Sequence, residues 1–175
     1  MKFILTFGDT PTNNVTVNTR RAVRAIIYYH DKLLMVINKH GDLKFPGGGI
    51  NQYETAEEAL RREVKEETGY INFTIIELLG KTIQRNLDIY DARAMFEMES
   101  SYYLCRLDDK QNSGIQLDDY ERELDFRCGF YQLQEALDNN LKLLELDQTP
   151  FKWVKRETAV LQKLVEIELF VNLVK

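Results

Sequence analysis

Residues 45–70 read FPGGGINQYETAEEALRREVKEETGY, a proline-glycine turn that runs into a short charged segment. Thr55 and Glu58 form a T-x-x-E capping box that starts a helix at Thr55, and Gly69 after Thr68 supplies its C-cap. With Ala56 set at zero and about 100° per residue, Leu60 falls near ~40°, Val64 near ~80° and Ala59 near ~300°. The same wheel puts Glu63 near ~340° and Glu67 near ~20°, inside the apolar arc, with Glu66 on its shoulder near ~280°. Glu58, Arg61, Arg62 and Lys65 point the other way. Carboxylates aimed at the buried side are costly unless a cation meets them. An arginine or lysine from elsewhere in the chain is one such cation. Two inward carboxylates one turn apart, with a third alongside, repel one another at neutral pH. An oxygen-rich cluster of this kind suits a hard divalent ion such as Mg²⁺. Gly47, Gly48 and Gly49 allow unusual dihedrals and close approach of a ligand to the main chain. A glycine triplet alone is commonly just a turn; its place directly before the carboxylates gives it weight.

Outward from this segment, the chain alternates strand-like and helical runs. KFILTF near the start reads as a strand. Ala22–Tyr29, the turn His30-Asp31-Lys32 and Leu33–Ile37 read as a hairpin. After the helix, Phe73–Gln84 and Tyr90–Leu107 are strand-like, and Phe126–Leu133 is a further short strand. Gln134–Leu146 has helical spacing at Leu137, Leu141 and Leu144, and Pro150 separates it from a longer helix over Trp153–Leu173. Its stripe of Val160, Leu161, Leu164, Val165 and Leu169 is expected to cover the core. No repeat, linker or second domain is visible. The pattern predicts an α/β protein, residues 1–175 as a single domain with an N-terminal strand extension and a C-terminal helix.

At 175 residues, 44% hydrophobic and 29% charged, the composition is that of a soluble globular protein. A net charge of −5 argues against a broad nucleic-acid surface, so no long nucleic acid is expected as a partner. No run of 18 apolar residues and no hydrophobic leader is present, which predicts no membrane partner. Cys105 and Cys128 lie far apart without metal-ligand spacing and read as two reduced thiols of a cytoplasmic protein.

The 48–70 segment resembles the box of the Nudix hydrolases, G-x5-E-x7-R-E-U-x-E-E-x-G-U with U a bulky aliphatic residue. Gly48 opens it, Glu54 follows after five residues and Arg62-Glu63 after seven more. Val64, Lys65, Glu66, Glu67, Thr68 and Gly69 continue in step. Tyr70 replaces the last aliphatic residue, and Asn51 and Tyr53 stand where many relatives carry Glu and Gly. Every charged position of the box is intact. The resemblance implies a Nudix-like α/β/α sandwich with a mixed β-sheet and hydrolysis of a diphosphate linkage in a small nucleoside diphosphate derivative. It implies Mg²⁺, or Mn²⁺, as cofactor, and relatives are commonly dimers, so a homodimer joins the expectations.

The inward-facing Glu63 and Glu67 are then the leading metal ligands, with Glu66 as a ligand or part of the water-activating network. The Gly47 carbonyl is a ligand position by resemblance. Arg62, four residues after Glu58 and four before Glu66, can brace the helix and orient a glutamate, and Glu54 ties the loop to it. Relatives often draw another glutamate from a loop beyond the sheet. The matching segment LDDYERELDF, 117–126, offers Glu123 first and Glu121 next as base. Arg85 at a strand end, and Arg24 with Arg20 and Arg21 beside the first central strand, are candidate phosphate contacts. Tyr90, Phe96, Tyr102 and Tyr103 are candidates for stacking on a base, although alternation makes most of them sheet-face residues. The sequence does not choose among nucleoside triphosphates, nucleotide sugars, ADP-ribose, dinucleoside polyphosphates and capped RNA ends. Two rival readings stand beside the enzyme: a non-catalytic nucleotide-binding or regulatory module, and an acidic helix satisfied by basic partners.

Overall fold

A computed structural model describes residues 1–8, 15–88 and 94–169. The expected stacking role of Tyr90 and the end of the last helix past residue 169 lie outside these. The strands are β1 (Phe3–Phe7), β2 (Thr16–Tyr29), β3 (Lys32–Ile37), β4 (Leu43–Lys44), β5 (Phe73–Leu87), β6 (Ala94–Leu107) and β7 (Arg127–Gln132). They form one sheet in the order β1-β5-β6-β2-β3-β4, with β7 also on β3. The sheet is mixed: β1 runs parallel to β5 and β2 parallel to β6, while the remaining pairs are antiparallel. The helices are α1 (Ala56–Thr68), α2 (Asp119–Glu123), α3 (Leu133–Glu145) and α4 (Trp153–Glu166). The pattern read from the sequence finds all but two of these elements. The two-residue β4 is too short for a period, and the single turn α2 has no buried face to mark it.

Alternation along β2 places the two helical layers. Val23, Ala25 and Ile27 pack with Ala59, Leu60 and Val64 of α1 on one face. Ile26 and Tyr102 face the other side, against Ala136 and Leu137 of α3 and Val160, Leu161 and Leu164 of α4. Side chains of successive strand residues point to opposite faces, so a strand buried on both sides reads as continuously apolar. This is the expected α/β/α sandwich. Val165 lies at the edge of the α4 stripe, partly exposed, while Leu169 is buried. Tyr102, a candidate for base stacking, is instead a core residue with no exposed surface, bonded to Glu157. Phe96 and Tyr103 are half-buried, and Tyr103 packs in the α1-side core. Among the described residues, no helix is long and apolar enough to cross a membrane. Cys105 and Cys128 are both free, and burial pushes the Cys105 thiol up to about 12.

Both ends of α1 are built as the sequence predicts. The Thr55 side chain accepts from the Glu58 N–H, the Glu58 carboxylate accepts from the Thr55 N–H, and Gly69 closes the helix at φ 75°. Thr55→Ala removes the cap and should cost about 1 kcal/mol in denaturant unfolding. Thr55→Ser, which keeps the oxygen, should stay within a few tenths of that scale of the parent protein.

Candidate active site

The glycine segment lies flat on β2. Ala25 N–H donates to the Pro46 carbonyl at 2.8 Å, Val23 N–H to that of Gly48 at 2.9 Å, and Ile50 N–H to that of Arg21 at 3.0 Å. Gly47 sits at φ 139°, and a Cβ there would lie 2.1 Å from the Val23 carbonyl oxygen, so no side chain fits. A Cβ on Gly48 would fall 2.4 Å from the Glu63 carboxylate. The bare backbone thus passes between β2 and α1, and Gly47, Glu63 and Glu67 reach one cavity of about 420 Å³.

The three glutamates of α1 grade from buried to exposed, as helical geometry requires. Glu67 is 1% exposed, Glu63 12% and Glu66 37% by side chain. Glu67 accepts from Lys44 Nζ at 2.5 Å and from the Gly47 N–H at 2.8 Å. Glu63 accepts from Arg62 Nη1 at 2.7 Å. Burial, together with the neighbouring Glu67, holds the Glu63 carboxyl above its ordinary value despite Arg62. Glu66 lies against Arg62 at 3.2 Å and is not part of the cavity wall.

Arg62 is the junction of loop and helix. It grips both oxygens of Glu54 at 2.7 and 2.9 Å and reaches the Gly49 carbonyl at 3.0 Å, besides Glu63 and Glu66. The Arg62 hydrogen bonds hold the Glu54 carboxyl down to about 2. The expected brace from Glu58 is not made, because Glu58 spends its carboxylate on the Thr55 cap.

Elsewhere the structure sorts the candidates. Arg24 lines the cavity and donates to the Gly47 carbonyl, and Arg20 lines it as well. Arg85 does not: the β5–β6 register sets it opposite Glu97, and the two pair at 2.8 Å away from this cavity. In the 117–126 segment the order of the two glutamates is reversed. Glu121 is half-buried in the cavity wall, where burial, with Glu67 adding to it, pushes its carboxyl up to about 7. Glu123 is exposed and absent from the wall. The cause is the α2 turn, whose Asp118–Glu121 capping box fixes Glu121 and leaves Glu123 two residues round the helix on its solvent side.

Several wall residues escape sequence reading. Lys44, on the unrecognised β4, becomes visible only through its pairing with Glu67. Arg156 and Trp153 of α4 also line the cavity. Arg156 and Glu157 are buried charges beside an apolar stripe, the same anomaly that marked Glu63 and Glu67, and this signal was legible.

The donors fit a hard divalent ion. Two carboxylates and a backbone carbonyl, all oxygen, face one cavity, and the Coulombic conflict between Glu63 and Glu67 is of the kind a divalent ion relieves. Among the described residues, no three acidic, histidine or cysteine side chains converge to hold an ion by themselves. In this arrangement Lys44 and Arg24 supply the positive charge beside those oxygens.

Gly48→Ala should push the Glu63 carboxylate aside and lower turnover at least ~10-fold with little change in melting temperature, since only a flexible side chain must move. Gly47→Ala meets backbone and an unsuitable φ, and should cost more than ~1 kcal/mol of stability. Because the Glu54 carboxyl lies near 2 when folded against 4.5 ordinarily, its contribution to stability is present above about pH 4.5 and disappears as pH falls toward 2. Glu54→Gln should therefore flatten the loss of stability across that acid window, as read by urea unfolding at each pH.

Residues 18–156 match the family described as the NUDIX domain. Over 65 residues the chain is 38% identical to YtkD of Bacillus subtilis (strain 168), named provisionally as an 8-oxo-dGTP diphosphatase; this match covers 37% of the chain and 39% of that relative. The fold is similar to the solution structure of the E. coli ORF135 protein, with TM-score 0.52 and 16% identity over 91% of this chain and 96% of that one. The C. elegans Ap4A hydrolase gives TM-score 0.50 and 16% identity over 86% and 98%. With the family match extending over most of the chain, from β2 into α4, the protein belongs to the NUDIX family.

Proposed function

We propose that the chain hydrolyses a diphosphate linkage in a nucleoside diphosphate derivative, with Mg²⁺ or Mn²⁺ held by Glu63, Glu67 and the Gly47 carbonyl. Family membership supports the reaction class. The observation that carries the site is the convergence of Glu63 and Glu67, one turn apart, on the cavity edge opened by side-chain-free Gly47 and Gly48. A divalent ion bound there supplies charge stabilisation for phosphoryl oxygens and activation of water.

The chain's own residues divide the remaining work. Arg62 fixes Glu63 and the loop, and Glu66 steadies Arg62 from outside the cavity. Arg24 and Arg20 present positive charge to the substrate phosphates from β2. Glu121 is the candidate general base, its carboxyl near 7 being suited to accept a proton from water at neutral pH. The net charge of −5 favours a small nucleotide over long RNA, and the free thiols accord with a cytoplasmic setting. The name of the B. subtilis relative places an oxidised guanine nucleotide on the substrate panel.

The ion pairs Lys44–Glu67 and Arg62–Glu63 favour a second reading, in which basic partners satisfy a purely structural acidic helix. A substrate panel with Mg²⁺ and Mn²⁺, run on Glu63→Gln and Glu67→Gln, separates the two. The enzyme reading expects kcat/KM at least ~100-fold lower in each, with weakened Mg²⁺ binding. Normal turnover accompanied by lower thermal stability alone would support the structural reading. Glu121→Gln should lower kcat at least ~10-fold, the scale of general-base loss, while Glu123→Gln should leave it within about twofold.

A further inference from the structure

The chain enters the cavity through β4, whose two residues, Leu43 and Lys44, lie in register with Ile37 and Val36 of β3. Alternate residues of a strand turn their backbone groups to the same edge, and a buried edge needs partners for them. Two side chains supply these partners. Asn140 of α3 accepts from the Leu43 N–H at 3.0 Å and donates to the Leu43 carbonyl at 2.8 Å, as a neighbouring strand would. Glu157 of α4 accepts from the Phe45 N–H at 3.3 Å through Oε2. Both residues are fully buried, and the proposed chemistry uses neither. We propose that Asn140 and Glu157 are positioning residues for the metal site. From the face of the sheet opposite α1, they set the strand end that brings Lys44 to Glu67 and the Gly47 carbonyl to the cavity. The inference rests on the reading of Gly47, Glu63 and Glu67 as a divalent-ion site.

Side-chain alternation lets one short strand serve both layers. Leu43 and Phe45 are buried in the core with α3 and α4, while Lys44, between them, sends its ammonium the other way to Glu67 Oε1. The Gly47 N–H donates to the second oxygen of the same carboxylate at 2.8 Å. Glu67 thus grips Lys44 and Gly47 from α1, and Glu157 grips Phe45 between those points from α4. Only Pro46 separates Phe45 from Gly47, and its ring fixes φ, so a shift of Phe45 is passed on to the Gly47 peptide.

The two grips are themselves anchored. Glu157 Oε1 accepts from Arg156 Nε and Nη2 at 2.9 and 2.6 Å and from the Tyr102 hydroxyl at 3.2 Å, leaving Oε2 for Phe45. Arg156 donates in turn to Gln84 Oε1 at 2.7 Å. Asn139, next to Asn140, donates to the Gly41 carbonyl at 2.9 Å and extends the hold to the start of the strand. A buried ion pair is a weak source of stability compared with apolar residues of its size. An apolar residue in place of Asn140 or Glu157, however, would leave the β4 groups they meet without a partner. The polar side chains give the strand edge directional bonds that apolar packing does not supply.

Paired variants separate position from stability. Arg156→Met/Glu157→Met removes both buried charges together, so net charge is unchanged and no lone charge is left, but Phe45 loses its acceptor. Arg156→Met/Glu157→Gln restores an acceptor, and the loss of Arg156 from the cavity wall is common to both. Asn140→Leu deletes the bonds to Leu43, and Val160→Ala, a core truncation on α4, lowers stability without removing a polar contact. Mg²⁺ titration by calorimetry, each protein held well below its melting temperature, should show about 10-fold weaker binding in the Met double variant and in Asn140→Leu. The Gln double variant should return to within about threefold of the parent protein, and Val160→Ala should match it. In the metal-free proteins the Gly47 amide should exchange its hydrogen at least ~10-fold faster in the Met double variant and Asn140→Leu alone. Equal losses in the Gln double variant or in Val160→Ala would overturn the positioning role and make the effect one of stability. Mg²⁺ binding that is lost in Glu63→Gln and Glu67→Gln but parent-like in the Met double variant and Asn140→Leu would also overturn it, with the metal site left standing. A parent protein that binds no Mg²⁺, with Gly47 exchange still following the variant series, would sink the metal reading and leave the hold on β4 intact.

Discussion

The site hangs on one guanidinium. Arg62 binds Glu54 with two hydrogen bonds, the Gly49 carbonyl with another, and both Glu63 and Glu66 from the far side. It thereby fastens the glycine segment, its own helix and an inward carboxylate to a single point. A planar fork can do this where a lysine ammonium cannot, because its donors diverge at fixed angles. Among the described residues, it is the Arg62 side chain that bonds the Glu54 carboxylate and Glu63 together against the loop. Everything proposed for the cavity depends on that registration being kept.

Around this point the fold manages a conflict of charge. Glu63 and Glu67 are buried enough to repel one another, yet sit where a phosphate compound would also have to enter. Two surfaces relieve the strain: Lys44 and Arg62 on the carboxylates themselves, Arg20 and Arg24 on the facing strand. The glycines matter through what they lack, since a methyl group at Gly47 or Gly48 would collide with β2 or with Glu63. The second buried pair, Arg156–Glu157, repeats the same device on α4, and its network reaches Phe45 at the root of the glycine segment. Residues of both helices, on opposite faces of the sheet, thus line one cavity.

How much of this was legible follows from the range over which each signal acts. The capping box, the C-cap glycine and the inward turn of Glu63 and Glu67 are local, set within four residues by helical geometry, and they read directly from the chain. The α/β/α layers were expected from the family resemblance, and the apolar residues on both faces of β2 are what the two helical layers cover. The choice between Glu121 and Glu123 was not, since distance to the next strand says nothing about how a one-turn helix rotates its side chains. Arg85 misled for a related reason: a basic residue at a strand end looks free until register supplies Glu97. Tyr102 shows the same limit, as alternation gives a side-chain direction but not which layer covers it.

By itself, then, the sequence determined the α1 segment, its carboxylate geometry and the family pattern, which rest on spacing along the chain, and through the resemblance that pattern carries it implied the sandwich layout. Only the tertiary structure decided which cations meet those carboxylates, which loop glutamate enters the cavity, and that Trp153 and Arg156 wall it. Those facts depend on contacts between residues tens of positions apart, such as Arg156 with Gln84 and Lys44 with Glu67. Side-chain spacing fixes direction about a helix or strand; only packing of the layers brings separate directions to one point.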